Sequence, residues 1–120
     1  MTSEHLQMRW AGPHAVIGMP AEIDVTNAHQ VHLALVDAAS NDVPVLIIDM
    51  SKTTFCDSTG VRAIIAAYRH AAATGTQLRL VATAVRRVFT LTGVDGLIPV
   101  YPTLAAARTS AMQPECGSRR

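Results

Sequence analysis

Val45-Leu-Ile-Ile-Asp-Met-Ser-Lys-Thr-Thr-Phe-Cys-Asp-Ser-Thr-Gly-Val-Arg-Ala-Ile-Ile65 is an apolar run, a short polar turn, and an acidic-hydroxyl-glycine step that opens a segment of helical periodicity. Residues 43–48 show no polar alternation, the pattern of a central strand covered on both faces. Pro44 is tolerated only among such a strand's first residues. Downstream, Val61, Ile64, Ile65, Tyr68 and Ala72 recur at helical spacing and leave Arg62, Arg69 and His70 on other faces. Gly75 is placed to end that helix as its C′ residue. The stretch therefore predicts strand, loop, helix, with Ile47, Ile48, Ile64, Ile65 and Leu80 in one core.

Ser58 or Asp57 falls where an N-cap belongs, its side-chain oxygen able to accept from the free N–H groups of the first turn. Either choice sets Ser58 at the positive end of the helix, where the dipole and unpaired N–H groups favour negative charge. A phosphate on Ser58 fits there electrostatically. Asp-Ser-Thr-Gly also starts many helices as capping alone, and spacing does not separate the two readings.

Asp49-Met-Ser51, Phe55-Cys-Asp-Ser58, Gly60 and the Ala/Ile-rich helix after them resemble the signature of STAS domains, specifically the small bacterial anti-sigma factor antagonists. Pro20-Ala-Glu-Ile-Asp-Val-Thr-Asn-Ala28 resembles that family's second block, and Val85–Gly93 followed by Leu97–Tyr101 resembles its closing helix and strand. The likeness runs in order over residues 8 to 112. It implies an α/β fold: a STAS-like single domain with a small mixed β-sheet, an antiparallel N-terminal hairpin and about four packed helices. It implies that the loop before the first helix adjoins the loop before Ser58, so that Asp24, Thr26 and Asn27 neighbour Asp57 and Ser58.

The same resemblance implies a function without catalysis and without a cofactor. The unphosphorylated chain would bind an anti-sigma factor that is also a serine kinase of the histidine-kinase-like ATPase type, releasing a sigma factor. Phosphorylation of Ser58 would end the association, and a serine phosphatase would reset it. Asp24, Thr26, Asn27, Asp57, Ser58, Thr59, Gly60 and Arg62 would form the partner surface of a monomer or weak homodimer. The alternative is a structural STAS module of a larger signalling or transporter-associated assembly, never phosphorylated. Ala21 stands where the family commonly has glycine and Cys56 where an aliphatic is usual; neither touches the acceptor.

At 120 residues the chain predicts one domain. Hydrophobic content of 49% with only 4% aromatic implies a core of Val, Ile, Leu and Ala. A net charge of +1 gives no reason to expect nucleic acid or an anionic membrane as partner. Charge is nonetheless segregated: residues 1–60 hold seven carboxylates against Arg9 and Lys52, and residues 61–120 hold Asp95 and Glu115 against eight arginines. Cys56 and Cys116 are poorly placed for a structural disulfide, so a reduced setting is expected. No stretch reaches the roughly 18 apolar residues of a membrane span, and a cytoplasmic location follows as an expectation.

The remaining pattern predicts a loose N-terminus over residues 1–7 and strands at Met8–Ala11 and Ala15–Met19 turned by Gly12-Pro13. Ile23 and Val25 extend that sheet as an edge. Asn27 starts the first helix with Gln30 at the capping-box position; Val31, Leu35 and Ala38 face inward, His29, His32 and Asp37 outward. Leu78–Ala82 is a further strand, Thr83 caps a helix from Ala84 to Thr92 ended by Gly93, Leu97–Tyr101 is the last strand, and Thr103 caps a helix ending near Met112 before a disordered tail over residues 113–120.

Catalysis finds no support. His70 is the one histidine on Ser58's own helix and lies three turns away. The Gly-x-Ser-x-Gly elbow is absent, because Cys56 stands at its first glycine. Asp24 and Asp57 read as solvated or capping groups rather than an acid/base pair. His29 and His32 read as a solvated helix face rather than metal ligands, and no phosphate-cradling glycine loop is present. Cys56 is either a redox thiol beside a helix terminus or a small residue filling core space.

Overall fold

The computed structural model describes residues 6–39 and 42–109. It opens on an antiparallel hairpin, β1 (Met8–Ala11) and β2 (His14–Gly18), with Ala11 opposite His14. Gly12 has φ +64°, and a positive φ at the first central residue is what a II′ hairpin turn requires. There follow β3 (Glu22–Ile23), α1 (Ala28–Ala39), β4 (Val45–Met50), β5 (Phe55–Cys56), α2 (Ser58–Thr74), β6 (Gln77–Ala82), α3 (Arg86–Thr92), β7 (Val100–Tyr101) and α4 (Leu104–Thr109). The main sheet has the order β1-β2-β4-β6-β7, antiparallel in the hairpin and parallel thereafter. This is the mixed-sheet α/β architecture that the sequence implies.

β4 is central, with Ile48 paired to Ile17 on one side and Leu80 on the other. Successive residues point to opposite faces. Leu46, Ile48 and Met50 enter the large core with Leu35, Ile64, Leu80 and Phe89. Val45 and Ile47 enter a smaller core with Val16, Val81 and Ala107 of α4. Both faces are covered over residues 45–48, so that part of the strand is apolar, and Asp49 beyond it is half-buried. Ile47 consequently leaves the single core expected for it, while Ile65 packs against the large core only half-buried.

The inward stripe of α2 is Gly60, Val61, Ala63, Ile64, Ala67 and Ala71. Ala72, expected inside, is exposed. Small side chains at 60, 63, 67 and 71 let the helix approach its neighbours closely, which sets its rotation. It ends as expected, Gly75 adopting φ +84° and donating its N–H to the Ala71 carbonyl.

Other elements depart from expectation. Ile23 joins a separate two-stranded parallel sheet with β5, Glu22 opposite Phe55 and Ile23 opposite Cys56, and Val25 lies outside any strand. The Asn27 side chain works backward on the loop instead of forward on Gln30: its Oδ1 accepts from the Asp24 N–H and its Nδ2 donates to the Glu22 carbonyl. Thr83 does not cap α3; its carbonyl accepts from the Arg86 N–H in a turn, and Val85 occupies the cap position without a side-chain bond. The last strand shrinks to two residues because Val94–Gly96 form a 3-10 turn whose Val94 carbonyl accepts from Leu97 and Ile98. Thr103 does cap α4, its Oγ1 accepting from the Ala106 N–H at 3.1 Å. The end of that helix near Met112, the tail 113–120, Cys116 and the first five residues of the N-terminus lie outside the described residues.

Arg79 is a buried charge in β6 that the strand pattern of its neighbours does not announce. It is 1% exposed, beneath α4, its Nη1 donating to the Ala107 carbonyl at 2.5 Å and its Nη2 to Gln77 Oε1 at 3.1 Å. The guanidinium thereby satisfies a carbonyl in the last turn of α4, where a cation is favoured.

Candidate functional site

Two loops meet at the carboxyl end of β4, joined by backbone. Buried Thr53 donates its hydroxyl to the Pro20 carbonyl at 2.8 Å, and the Thr54 N–H donates to the Ala21 carbonyl at 2.8 Å. The β3–β5 pairing continues this seam, and the Asp57 N–H completes it on the Ile23 carbonyl at 3.2 Å. The loop after Ile23 is thereby held beside the first turn of α2.

In that loop the polar side chains are committed to its shape. Asp24 Oδ1 accepts from the Thr26 N–H at 2.9 Å and from the Thr26 hydroxyl, and the Asp24 carbonyl accepts from the Ala28 N–H at 2.8 Å. Asn27 closes the loop onto Glu22 and Asp24. Thr26 is exposed; Asp24 and Asn27 are half-buried.

The N-cap of α2 is Asp57, in extended conformation at φ −94°, which decides between the two candidates. Its carboxylate accepts from the Thr59 N–H at 2.9 Å, from the Gly60 N–H at 3.4 Å and from the Thr59 hydroxyl. The Thr59 hydroxyl, and then the backbone N–H groups, hold the Asp57 carboxyl below the usual aspartate range, although partial burial opposes them. Ser58 is the first helical residue and is exposed. Among the described residues its hydroxyl makes no hydrogen bond. Thr59 is half-buried, with its hydroxyl engaged. Arg62 is exposed one turn after Ser58, on the same helix face. Gly60 is buried, so it serves the site by leaving room for Cys56 and Ile23 rather than by surface contact.

Two further residues edge this surface: Val25 is 75% exposed and Phe55 is 49% exposed. Val25 reads in the sequence as a sheet-edge residue and Phe55 as part of a polar turn. The available signal is a large apolar residue in an otherwise polar loop.

Cys56 is buried, and its thiol is pushed up to about 11, first by burial and then by the neighbouring Asp57 charge. Burial and a raised pKa fit a small residue filling core space better than a redox thiolate. Among the described residues no three His, Cys, Asp or Glu side chains come together as metal ligands, and no helix is long and apolar enough to cross a membrane. His29 and His32 stack on α1 with ring centroids 6.4 Å apart.

The sequence matches the family model described as STAS domain over residues 5–107. The fold is similar to that of an anti-sigma factor antagonist from Mycobacterium paratuberculosis, with 31% identity, a TM-score of 0.79, and 86% of this chain and 89% of that one covered. It is also similar to a putative anti-sigma factor antagonist from Thermotoga maritima, with 20% identity, a TM-score of 0.75, and 88% and 95% covered. The Bacillus cell-fate determinant SpoIIAA in its phosphorylated form aligns with 22% identity, a TM-score of 0.63, and 85% and 95% covered. No curated protein sequence matches the chain. The chain belongs to the STAS domain family, and its structural relatives include anti-sigma factor antagonists.

Proposed function

We propose that this chain is an anti-sigma factor antagonist that works by partner switching and carries out no catalysis of its own. Unmodified, the surface of Asp24, Thr26, Asn27, Asp57, Ser58, Thr59 and Arg62, edged by Val25 and Phe55, docks an anti-sigma factor that is also a serine kinase, and a sigma factor is released. Phosphorylation of Ser58 ends the association and a serine phosphatase restores it. Neither nucleic acid nor membrane enters the cycle.

One observation carries this reading: Ser58 is exposed with a hydroxyl free of hydrogen bonds among the described residues, while the adjacent Thr59 hydroxyl is donated to Asp57. A kinase can approach the first without breaking anything. The Thr59 and Gly60 N–H groups are already taken by the Asp57 carboxylate, so a phosphate on Ser58 inherits no vacant cradle there. It adds about −1.5 to −2 charges beside a fixed negative group. In solution that dianion keeps its water; in a complex it would be stripped of water next to Asp57, which disfavours binding strongly. Arg62, one turn on, is the nearest cation on that helix face.

Incubation with candidate anti-sigma kinases and ATP, read by intact mass, tests the reading. One added phosphate accompanied by loss of kinase binding supports it. An unmodified chain that never binds such a kinase supports the structural-module alternative.

A further inference from the structure

On the sheet face opposite α1 and α2, a groove of about 320 Å³ opens at the carboxyl ends of β2 and β4, lined by Arg9, Gly18, Met19, Asp49, Ser51 and Lys52. Arg9 and Lys52 are the only arginine and the only lysine among residues 1–60, and both line this one concavity. Neither is ion-paired within the described residues. The register puts Arg9, Val16, Ile47 and Arg79 in one row across four strands of this face.

His14, on this face, has its pKa lowered by burial and then by the charges of Arg79 and Arg108. Asp49 is the one carboxylate that the strands put on this face among the described residues, and one of its oxygens already accepts from the Ser51 N–H at 3.0 Å. Its second oxygen remains to accept a hydroxyl. The groove is at the small end of ligand-binding cavities.

We infer that this groove binds a small hydroxyl-bearing phosphomonoester, its phosphate held between Arg9 and Lys52 and one of its hydroxyls donated to Asp49. Arginine and lysine are the side chains that hold phosphate oxygens by charge-assisted hydrogen bonds. The site lies at the same carboxyl end of β4 as the Ser58 surface, with Arg9 and Asp49 on the other face of the sheet, and does not depend on phosphorylation of Ser58.

The test is a titration of the ¹⁵N-labelled full chain with ribose 5-phosphate, followed by amide shifts. Saturable shifts are expected at Gly18, Met19, Ser51 and Lys52, with Ser58→Ala behaving like the parent. Arg9→Gln and Lys52→Gln, both at exposed positions, should each weaken binding by about tenfold, and unphosphorylated ribose should not bind. Shifts that fail to saturate, that map to the first turn of α2, or that persist unchanged in the Arg9→Gln/Lys52→Gln double variant would overturn the inference. Inorganic phosphate binding as tightly as ribose 5-phosphate would overturn the role given to Asp49.

Discussion

A Cβ on Gly60 would stand 2.6 Å from the Sγ of Cys56 and 2.7 Å from Cγ2 of Ile23, closer than real Cβ atoms come. Glycine at 60 is therefore what lets the small β3–β5 sheet seat against the first turn of α2. That seating fixes Asp57 and Ser58 beside the 24–27 loop. The helix position itself does not ask for glycine: alanine is favoured there by about 1 kcal/mol.

Gly60→Ala weighs that propensity against overpacking, which costs about 1–3 kcal/mol in a filled core. Cys56 and Ile23 are both buried, so the steric term should win and the urea midpoint should fall. Adding Cys56→Ala should recover part of the loss, with the Ile23 contact remaining. A Gly60→Ala chain more stable than the parent would contradict the seating.

Ile48 is fully buried between Ile17 and Leu80 at the centre of the sheet. Ile48→Ala should cost about 2–5 kcal/mol, read as a lower midpoint in thermal or urea unfolding. An unchanged midpoint would remove β4 from the centre of the core.

Asp57 gives the stability of the fold a pH dependence of known sign. Its folded pKa is lowered, so the folded state binds fewer protons than the unfolded chain. Stability from this group is present above the ordinary aspartate value of about 3.9 and is lost as pH falls through the lowered value. Asn can still cap a helix, so Asp57→Asn isolates the charge. The parent should be the more stable of the two at pH 7, and the gap should close in acid. A gap independent of pH would show that the carboxylate charge contributes nothing.

Cys56, with its thiol pushed up to about 11, should be almost wholly protonated at neutral pH. In a Cys116→Ser background, iodoacetamide should leave the folded chain unmodified while alkylating it readily in denaturant. Rapid alkylation of the folded chain would restore the redox reading.

β4 and α2 are legible because length and period are both present: an apolar run that starts after Pro44, and a helix whose stripe repeats over four turns before Gly75. The β3–β5 sheet is not, since two-residue strands carry no period. Arg79 is masked by its neighbours, for Leu78, Leu80 and Val81 make the stretch read as uniformly apolar whatever face the arginine takes. Asp57 and Ser58 are adjacent and both good caps, so only backbone geometry decides between them. Val94–Gly96 turns back on itself through Gly93, and this shortens a strand that composition alone would begin at Leu97. The helix start on which the candidate site is built was legible from Asp57-Ser-Thr-Gly60. The site's apolar edge at Val25 and Phe55 was not, because exposure is a property of the fold.

Ser58→Ala should keep the fold, since the cap belongs to Asp57, and should bind the anti-sigma kinase while accepting no phosphate. Ser58→Asp should bind weakly, although a single carboxylate charge falls short of the roughly −2 of phosphate. Pull-down of each variant with the kinase, with and without ATP, checks both. Binding of Ser58→Asp as tight as that of Ser58→Ala would count against a charge-based switch.

The most direct measurement is phosphopeptide mapping after reaction of the full chain with its anti-sigma kinase and ATP. The expected product carries a single phosphate on Ser58, with Thr59 unmodified because its hydroxyl is held by Asp57. Phosphate on Thr59, or elsewhere with Ser58 unmodified, would contradict the assignment.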